Sequence, residues 1–237
     1  MENTVDPFKM ADQSLRDRMG RWLVIVSITA GILYPLLGAR LGLGGEVALK
    51  GVAVGALAIA AFQGDGPYRK WLGAIMAAGA VGDVLLNIPG AFFVGAGAFA
   101  IGHVIAMAFY SQLRRGILTL GDKVFAAALI GFGLAMPTLV LPAGQPVGAL
   151  MLYSVLLCGM AAAAWISRFP RRWAAAGALL FVASDTFLVM RMGGTLVGGG
   201  FVHGLIVWYS YYLGQLMIFT GVRRGLDQRQ GADWARG

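Results

Sequence analysis

A single cysteine in 237 residues, Cys158, removes two common organising devices at once. No intrachain disulfide can form, and a metal site built on paired thiolates is excluded. The two histidines, His103 and His203, have no partner at metal-ligand spacing, so the residues give no metal site and no cofactor is expected. Charge is scarce as well, at 13% of residues, about half of what a soluble domain carries. Three familiar chemistries also lack their signatures. There is no phosphate-cradling Gly-x-x-x-x-Gly-Lys loop, no Gly-x-Ser-x-Gly elbow, and no basic stripe with interleaved aromatics of the kind that binds nucleic acid. The first 20 residues are polar and mixed in charge, and no small-residue cleavage site follows the first apolar run, which is therefore expected to stay as a helix.

What fills the chain instead is apolar. Hydrophobic residues make up 58% and glycine contributes 36 positions, with a mean hydropathy of +0.73. Eight runs near the roughly 20 residues that cross a bilayer as a helix follow one another, at about 22 to 39, 45 to 62, 71 to 88, 91 to 111, 123 to 141, 147 to 166, 172 to 190 and 200 to 221. Short breaks rich in Gly and Pro separate them and leave no room for a soluble domain. The reading is an all-α polytopic bundle of eight transmembrane helices, one domain over 1–237, with 1–20 and 222–237 as cytoplasmic ends.

Basic residues test that count. Sixteen of the nineteen Lys and Arg fall on one side: Lys9, Arg16, Arg18, Arg21, Arg69, Lys70, Arg114, Arg115, Lys123, Arg168, Arg171, Arg172, Arg223, Arg224, Arg229 and Arg236. Only Arg40 and Arg191 fall opposite, and Lys50 lies inside a run. Cytoplasmic loops collect Lys and Arg, so both termini are placed in the cytoplasm, with a bacterial inner membrane as the expected location. An offset of 102 residues pairs Arg69-Lys70-Trp71 with Arg171-Arg172-Trp173, Asp83 with Asp185, Phe99 with Phe201, and Tyr110 with Tyr212. A duplicated four-helix unit is one reading of the offset, and chance matching in a chain rich in Gly and Ala is the other.

Two carboxylates stand in apolar runs, Asp83 in Gly82-Asp83-Val84-Leu85-Leu86 and Asp185 in Ala183-Ser184-Asp185-Thr186. Each follows its tryptophan by twelve residues, roughly 18 Å along a helix, which puts both in the outer half of the membrane. A charge in hydrocarbon is costly, so paired intramembrane acids point to a functional site; separate interhelical hydrogen bonds are the plainer alternative. Asn87 shares the face of Asp83, His103 and Tyr110 share a face of their helix, and Tyr211 and Gln215 form a polar stripe on theirs. His103 is open to a packing role, and Trp208, Tyr209 and Tyr212 read as an interfacial aromatic belt. Lys50 either snorkels outward or stands near the acids, holding one ionised or receiving an anionic headgroup; Arg191 reads as an interface anchor or a phosphate contact. Gly51 and Gly55 have the spacing of a close helix contact.

Taken together, Leu49-Lys50, Gly82-Asp83-Val84-Leu85-Leu86, the run from Gly97 through His103 toward Tyr110, the run from Gly177 to Ser184-Asp185, and Tyr211-Tyr212-Leu213-Gly214-Gln215 make the chain resemble the YhhN-like lysoplasmalogenase family. It departs from that pattern in Gly51, where a proline commonly follows the lysine, and in Gln215, where some relatives carry histidine. The resemblance covers nearly the whole length. It implies an eight-helix membrane hydrolase of the vinyl-ether bond of lysoplasmalogens, giving a fatty aldehyde and a glycerophospho-ethanolamine or -choline. Asp83 and Asp185 would be catalytic, with Lys50, Asn87, His103, Tyr110, Ser184, Tyr211 and Gln215 supporting. Neither metal nor cofactor is implied. The partners are a lysophospholipid substrate and membrane lipids, with no nucleic acid. A proton-coupled carrier would use the same paired carboxylates and remains the alternative. An intramembrane aspartyl protease fits poorly, because Ala80 stands where its Gly-x-Gly-Asp motif needs glycine and Ser184 where its Tyr-Asp motif needs tyrosine.

Overall fold

A computed structural model describes residues 7–234, with side chains described for 12–66 and 68–228. The side chains of Lys9, Arg229 and Arg236, counted above on the basic side, and residues 1–6 and 235–237 of the terminal segments lie outside the described residues. Among these residues the secondary structure is helical, in seven elements: α1 (Pro7–Phe62), α2 (Pro67–Leu86), α3 (Phe92–Gln112), α4 (Leu120–Val140), α5 (Gly148–Ile166), α6 (Ala174–Met192) and α7 (Gly199–Trp234). A helix satisfies its own backbone polar groups, which is what a lipid-embedded segment requires. Six of the seven, all but α2, are long and apolar enough to cross a membrane, and the chain is a multi-pass membrane protein. Large apolar side chains on the outside match this, with Trp22, Phe93 and Leu139 among the exposed ones.

The first two expected runs, 22 to 39 and 45 to 62, form the two halves of α1, which doubles back between them: Ser27 bonds the Ala53 carbonyl and Arg16 lies 3.2 Å from Asp65. The reversal falls at a single glycine. Gly42 has φ 69° and ψ −171°, outside helical geometry, and the helix resumes at once after it. α1 also starts at Pro7, well before residue 22, because nothing in the polar stretch before the apolar run stops a helix.

Small residues let the helices approach. A Cβ on Gly177 would lie 2.6 Å from the Gly214 carbonyl oxygen, and one on Gly214 would lie 2.7 Å from that of Gly177, so α6 and α7 cross with their backbones in contact. Gly51 and Gly55 face Val84 and Ala80 of α2, the close contact their spacing suggested. The duplication does not carry through to side-chain environments: Phe99 is buried, whereas Phe201 at the same offset is 69% exposed.

Aspartates knit the basic end of the bundle. Asp122, in a capping box with Thr119 at the start of α4, pairs with Arg171 and lies 3.3 Å from Arg115. Arg69 of α2 pairs with Asp227 of α7, and Arg16 of α1 lies 3.2 Å from Asp65 in the turn before α2. Nearby, Arg114 and Ser167 form an isolated antiparallel bridge joining the ends of α3 and α5.

Candidate active site

At the opposite end, where α2 and α6 finish, a cavity of about 440 Å³ opens between α1, α2, α3, α5, α6 and α7. Its walls are mostly apolar and aromatic, including Leu86, Phe92, Phe99 and Leu188. Polar groups enter at a few points: Lys50, Asp83, Gln145, Tyr153, Ser184, Asp185, Arg191 and Tyr211. Asp83 and Asp185 therefore face one space. They are 3% and 7% exposed, which leaves the cavity as their only polar surrounding besides their bonded partners.

The two acids are held alike. Tyr211 of α7 donates its hydroxyl to Asp83 Oδ2 at 2.6 Å, and Tyr153 of α5 donates its own to Asp185 Oδ2 at 2.6 Å. Each tyrosine has a polar neighbour behind it. Gln215 Nε2 donates to the Tyr211 hydroxyl at 3.2 Å, and His103 Nε2 lies 3.5 Å from that of Tyr153. Phe99 and Phe181 pack edge-on against Tyr211 at 5.7 and 5.0 Å between ring centroids, and His103 packs on Phe181 at 5.1 Å. The contacts on Tyr211 fix its ring plane and so aim its hydroxyl.

Around Asp83 the site is cationic. Lys50 Nζ donates to Asn87 Oδ1 at 3.2 Å, and Asn87 Nδ2 donates to the Asp83 backbone carbonyl at 3.2 Å. The ammonium sits 4.9 Å over the Tyr34 ring and 5.7 Å over that of Trp208, and it lines the same cavity as Asp83. Lys50 thus stands near an acid rather than snorkelling away. Trp208 is only 4% exposed, and Tyr212 is buried with its hydroxyl 2.9 Å from that of Ser27, so the interfacial-belt reading of these two is corrected. The Trp208 indole N–H bonds the Gly31 carbonyl at 2.8 Å and its ring forms part of the cavity wall. Arg191 also lines the cavity, near its outer end.

Not every expected residue opens here. Ser184 lines the cavity, but its hydroxyl donates to the Val207 carbonyl at 2.8 Å and ties α6 to α7. His103, Tyr110 and Gln215 line a separate pocket of about 10 Å³, room for about one water. There the Tyr110 hydroxyl and Gln215 Oε1 are buried without a protein partner. His203 spans backbone groups, accepting from Val197 N–H at 3.1 Å and lying 2.8 Å from the Phe187 carbonyl. Among the described residues, no three His, Cys, Asp or Glu side chains are grouped to share a metal ion.

Sequence reasoning missed Tyr153 and Tyr34. Each is one tyrosine in an apolar helix, without a spacing that sets it apart from packing residues.

Known proteins carry the same pattern. Residues 45–222 match the YhhN family. A protein of Mycobacterium bovis named "Lysoplasmalogenase" is 28% identical over 222 residues, covering 85% of this chain and 83% of that one, and a protein of the same name from Mycobacterium tuberculosis matches equally. A pig protein named "Lysoplasmalogenase TMEM86B" is 32% identical over 173 residues, covering 68% of this chain and 67% of its own. No solved structure matches the chain. With most of its length inside the family pattern, the span that contains both acids, their tyrosines and Lys50, the chain belongs to the YhhN family.

Proposed function

We propose that the chain hydrolyses the vinyl-ether bond of a lysoplasmalogen, with Asp83 and Asp185 as the catalytic pair. The observation that carries this is the one cavity of about 440 Å³ holding both acids between apolar walls suited to an alkenyl chain. The relatives' names point to the same substrate.

An alkenyl ether needs a proton on carbon. Asp185, whose bonded partner is the neutral Tyr153 hydroxyl, delivers that proton to the alkene carbon remote from the ether oxygen. The adjoining carbon becomes an oxocarbenium ion. Asp83, beside which Asn87 holds the Lys50 ammonium, faces the developing positive charge and takes a proton from the water that attacks it. Water's oxygen bonds to the cationic carbon, giving a hemiacetal. Its C–O bond to the glycerol then breaks as the glycerol oxygen takes the proton now on Asp83 and the hemiacetal hydroxyl gives its proton to Asp185, so that a fatty aldehyde and a glycerophospho-ethanolamine or -choline leave with both carboxyl groups restored. Tyr211 and Tyr153 hold the two carboxyl groups in place, and Arg191 receives the substrate's phosphate at the outer end. No metal enters this scheme.

The test is substrate choice. Purified protein in detergent is expected to release aldehyde from a lysoplasmalogen and to leave the ester-linked lysolipid of the same headgroup intact. Cleavage of the ester, or turnover of neither, would count against the reading.

For the membrane arrangement we propose a single domain over 1–237 with eight spans, α1 crossing twice about its reversal at Gly42, and both ends (1–20 and 222–237) cytoplasmic. The sixteen Lys and Arg on one side support it. Reporters fused after residues 66 and 237 are expected to read cytoplasmic and one after residue 90 to read outside. A reversed reading at any of the three overturns the arrangement.

A further inference from the structure

The cavity of the acids is open on one side. α3 and α5 both run from the cavity toward the basic end and are joined over their later parts: Arg115 N–H donates to the Ile166 carbonyl at 3.0 Å, Arg168 N–H donates to that of Leu113 at 2.8 Å, and the His103 and Tyr153 rings lie 5.6 Å apart. Over their first turns the cavity comes between them. Phe92, Phe93 and Ala96 of α3 line it, and so do Ala149 and Leu150 of α5. Phe93 is 78% exposed and Ala149 is exposed as well, so these side chains border the cavity and the outside at once. No other helix closes the seam: among the described residues α3 packs against α2 and α5 alone, and α4 packs against α5 and α6 but not against α3. The surface around it is apolar, with Val94, Ile101 and Val104 of α3 and Leu152 of α5 exposed, as lipid contact requires.

Beneath the acids the cavity is shut. The rings of Phe99, Phe181 and Tyr211 pack edge-on against one another, with centroids 5.7, 5.7 and 5.0 Å apart. Beyond them lies only the pocket of about 10 Å³, room for about one water. A lipid chain reaches across one leaflet, about half of the roughly 30 Å hydrocarbon core. With the headgroup at Arg191 and the ether at Asp83 and Asp185, such a chain has no way onward through the protein.

We propose that the seam between the first turns of α3 and α5 is a side portal to the membrane, through which the single chain of a lysolipid enters and in which it rests. The site then grips headgroup and ether while most of the chain stays in lipid. The identity of the lysolipid rests on the lysoplasmalogen reading. Ala96 and Ala149 keep the seam wide because they are small. One consequence is tolerance of chain length, since the part that varies lies outside the protein. A chain enclosed by packed walls would instead meet a length limit, because such walls do not stretch for extra methylenes.

The experiment uses the full chain in nanodiscs and an alkyl-ether lysophospholipid, whose saturated ether has no alkene to protonate. A photoreactive diazirine is placed either next to the ether or at the end of the chain, and adducts that unlabelled lysolipid competes away are located by peptide mass spectrometry. The label near the ether is expected on Ala96, Ala149 or their neighbours, and the label at the chain end on exposed α3 positions such as Ile101 and Val104. Unlabelled decyl and octadecyl lysolipids are expected to compete within about twofold of each other. The double variant Ala96→Phe, Ala149→Phe, on half-exposed and exposed positions, is expected to lower the competed adducts about tenfold. Both labels confined to enclosed walls such as Leu188 and Val189, a chain-length limit, no competed adduct at all, or an undiminished yield in the double variant overturns the proposal. Aldehyde release from a lysoplasmalogen is read on the same samples. Seam adducts without aldehyde uphold the portal and overturn the hydrolase reading, and aldehyde with enclosed adducts alone does the reverse.

Discussion

Asp83 and Asp185 each accept one tyrosine hydroxyl at 2.6 Å and face one cavity, but what stands beside them differs. Asp83 has Lys50 on the same cavity, with the ammonium fixed by Asn87 and two aromatic rings. Asp185 has the Tyr153 hydroxyl and, behind it, His103. Two carboxyls that share a space do not both hold charge cheaply, so an unequal surrounding divides the labour. In the proposed scheme the acid next to the ammonium stays charged and the other carries the proton.

The sharpest break in the comparison comes from removing either carboxyl. Asp185→Asn and Asp83→Asn are each expected to lower kcat by about 100-fold or more while the protein remains folded and inserted, because asparagine keeps size and hydrogen bonding but neither donates the proton nor balances a cation. Near-native turnover in either variant would remove that residue from the reaction. Next in size are the supporting hydroxyls. Tyr153→Phe and Tyr211→Phe each lose one bond to a carboxyl group, and steady-state assays are expected to read about a tenfold fall in kcat for each.

Lys50 and Arg191 sharpen the comparison differently, since both are cations on one cavity but only Lys50 serves an acid. Lys50→Met is expected to lower kcat several-fold with little change in KM, whereas Arg191→Gln raises KM and spares kcat. The reverse pattern would assign the headgroup to Lys50 and undo the division of roles. The smallest expected effect is from chelation: dialysis against EDTA leaves kcat unchanged, and a loss restored by one added metal would contradict the scheme.

Much of this site was legible because a carboxylate in an apolar run has few innocent explanations. Asp83, Asp185 and Lys50 stand out for that reason, and Tyr211 and Gln215 follow from four-residue spacing on one helix. Tyr153 could not be found that way. Its partner Asp185 is on a different helix, and one tyrosine in an apolar run looks the same whether it packs or donates. Trp208 misled for a related reason, since membrane interfaces and buried cavity walls use the same aromatic residues and only tertiary packing tells them apart. The break at Gly42 was visible in the glycines between the first two runs, and the chain reverses there. The aspartates of the basic end, Asp65, Asp122 and Asp227, drew no attention in the sequence because charges near loops are ordinarily solvated.

The most direct measurement is hydrolysis of a lysoplasmalogen in deuterated water, with the aldehyde trapped by immediate reduction and weighed by mass spectrometry. Protonation at carbon places one solvent deuterium on the carbon next to the carbonyl, so wild type is expected to give a product one mass unit heavier, and the Asp83→Asn, Asp185→Asn double variant to give none. Unlabelled aldehyde from wild type, or full activity in the double variant, would contradict the account.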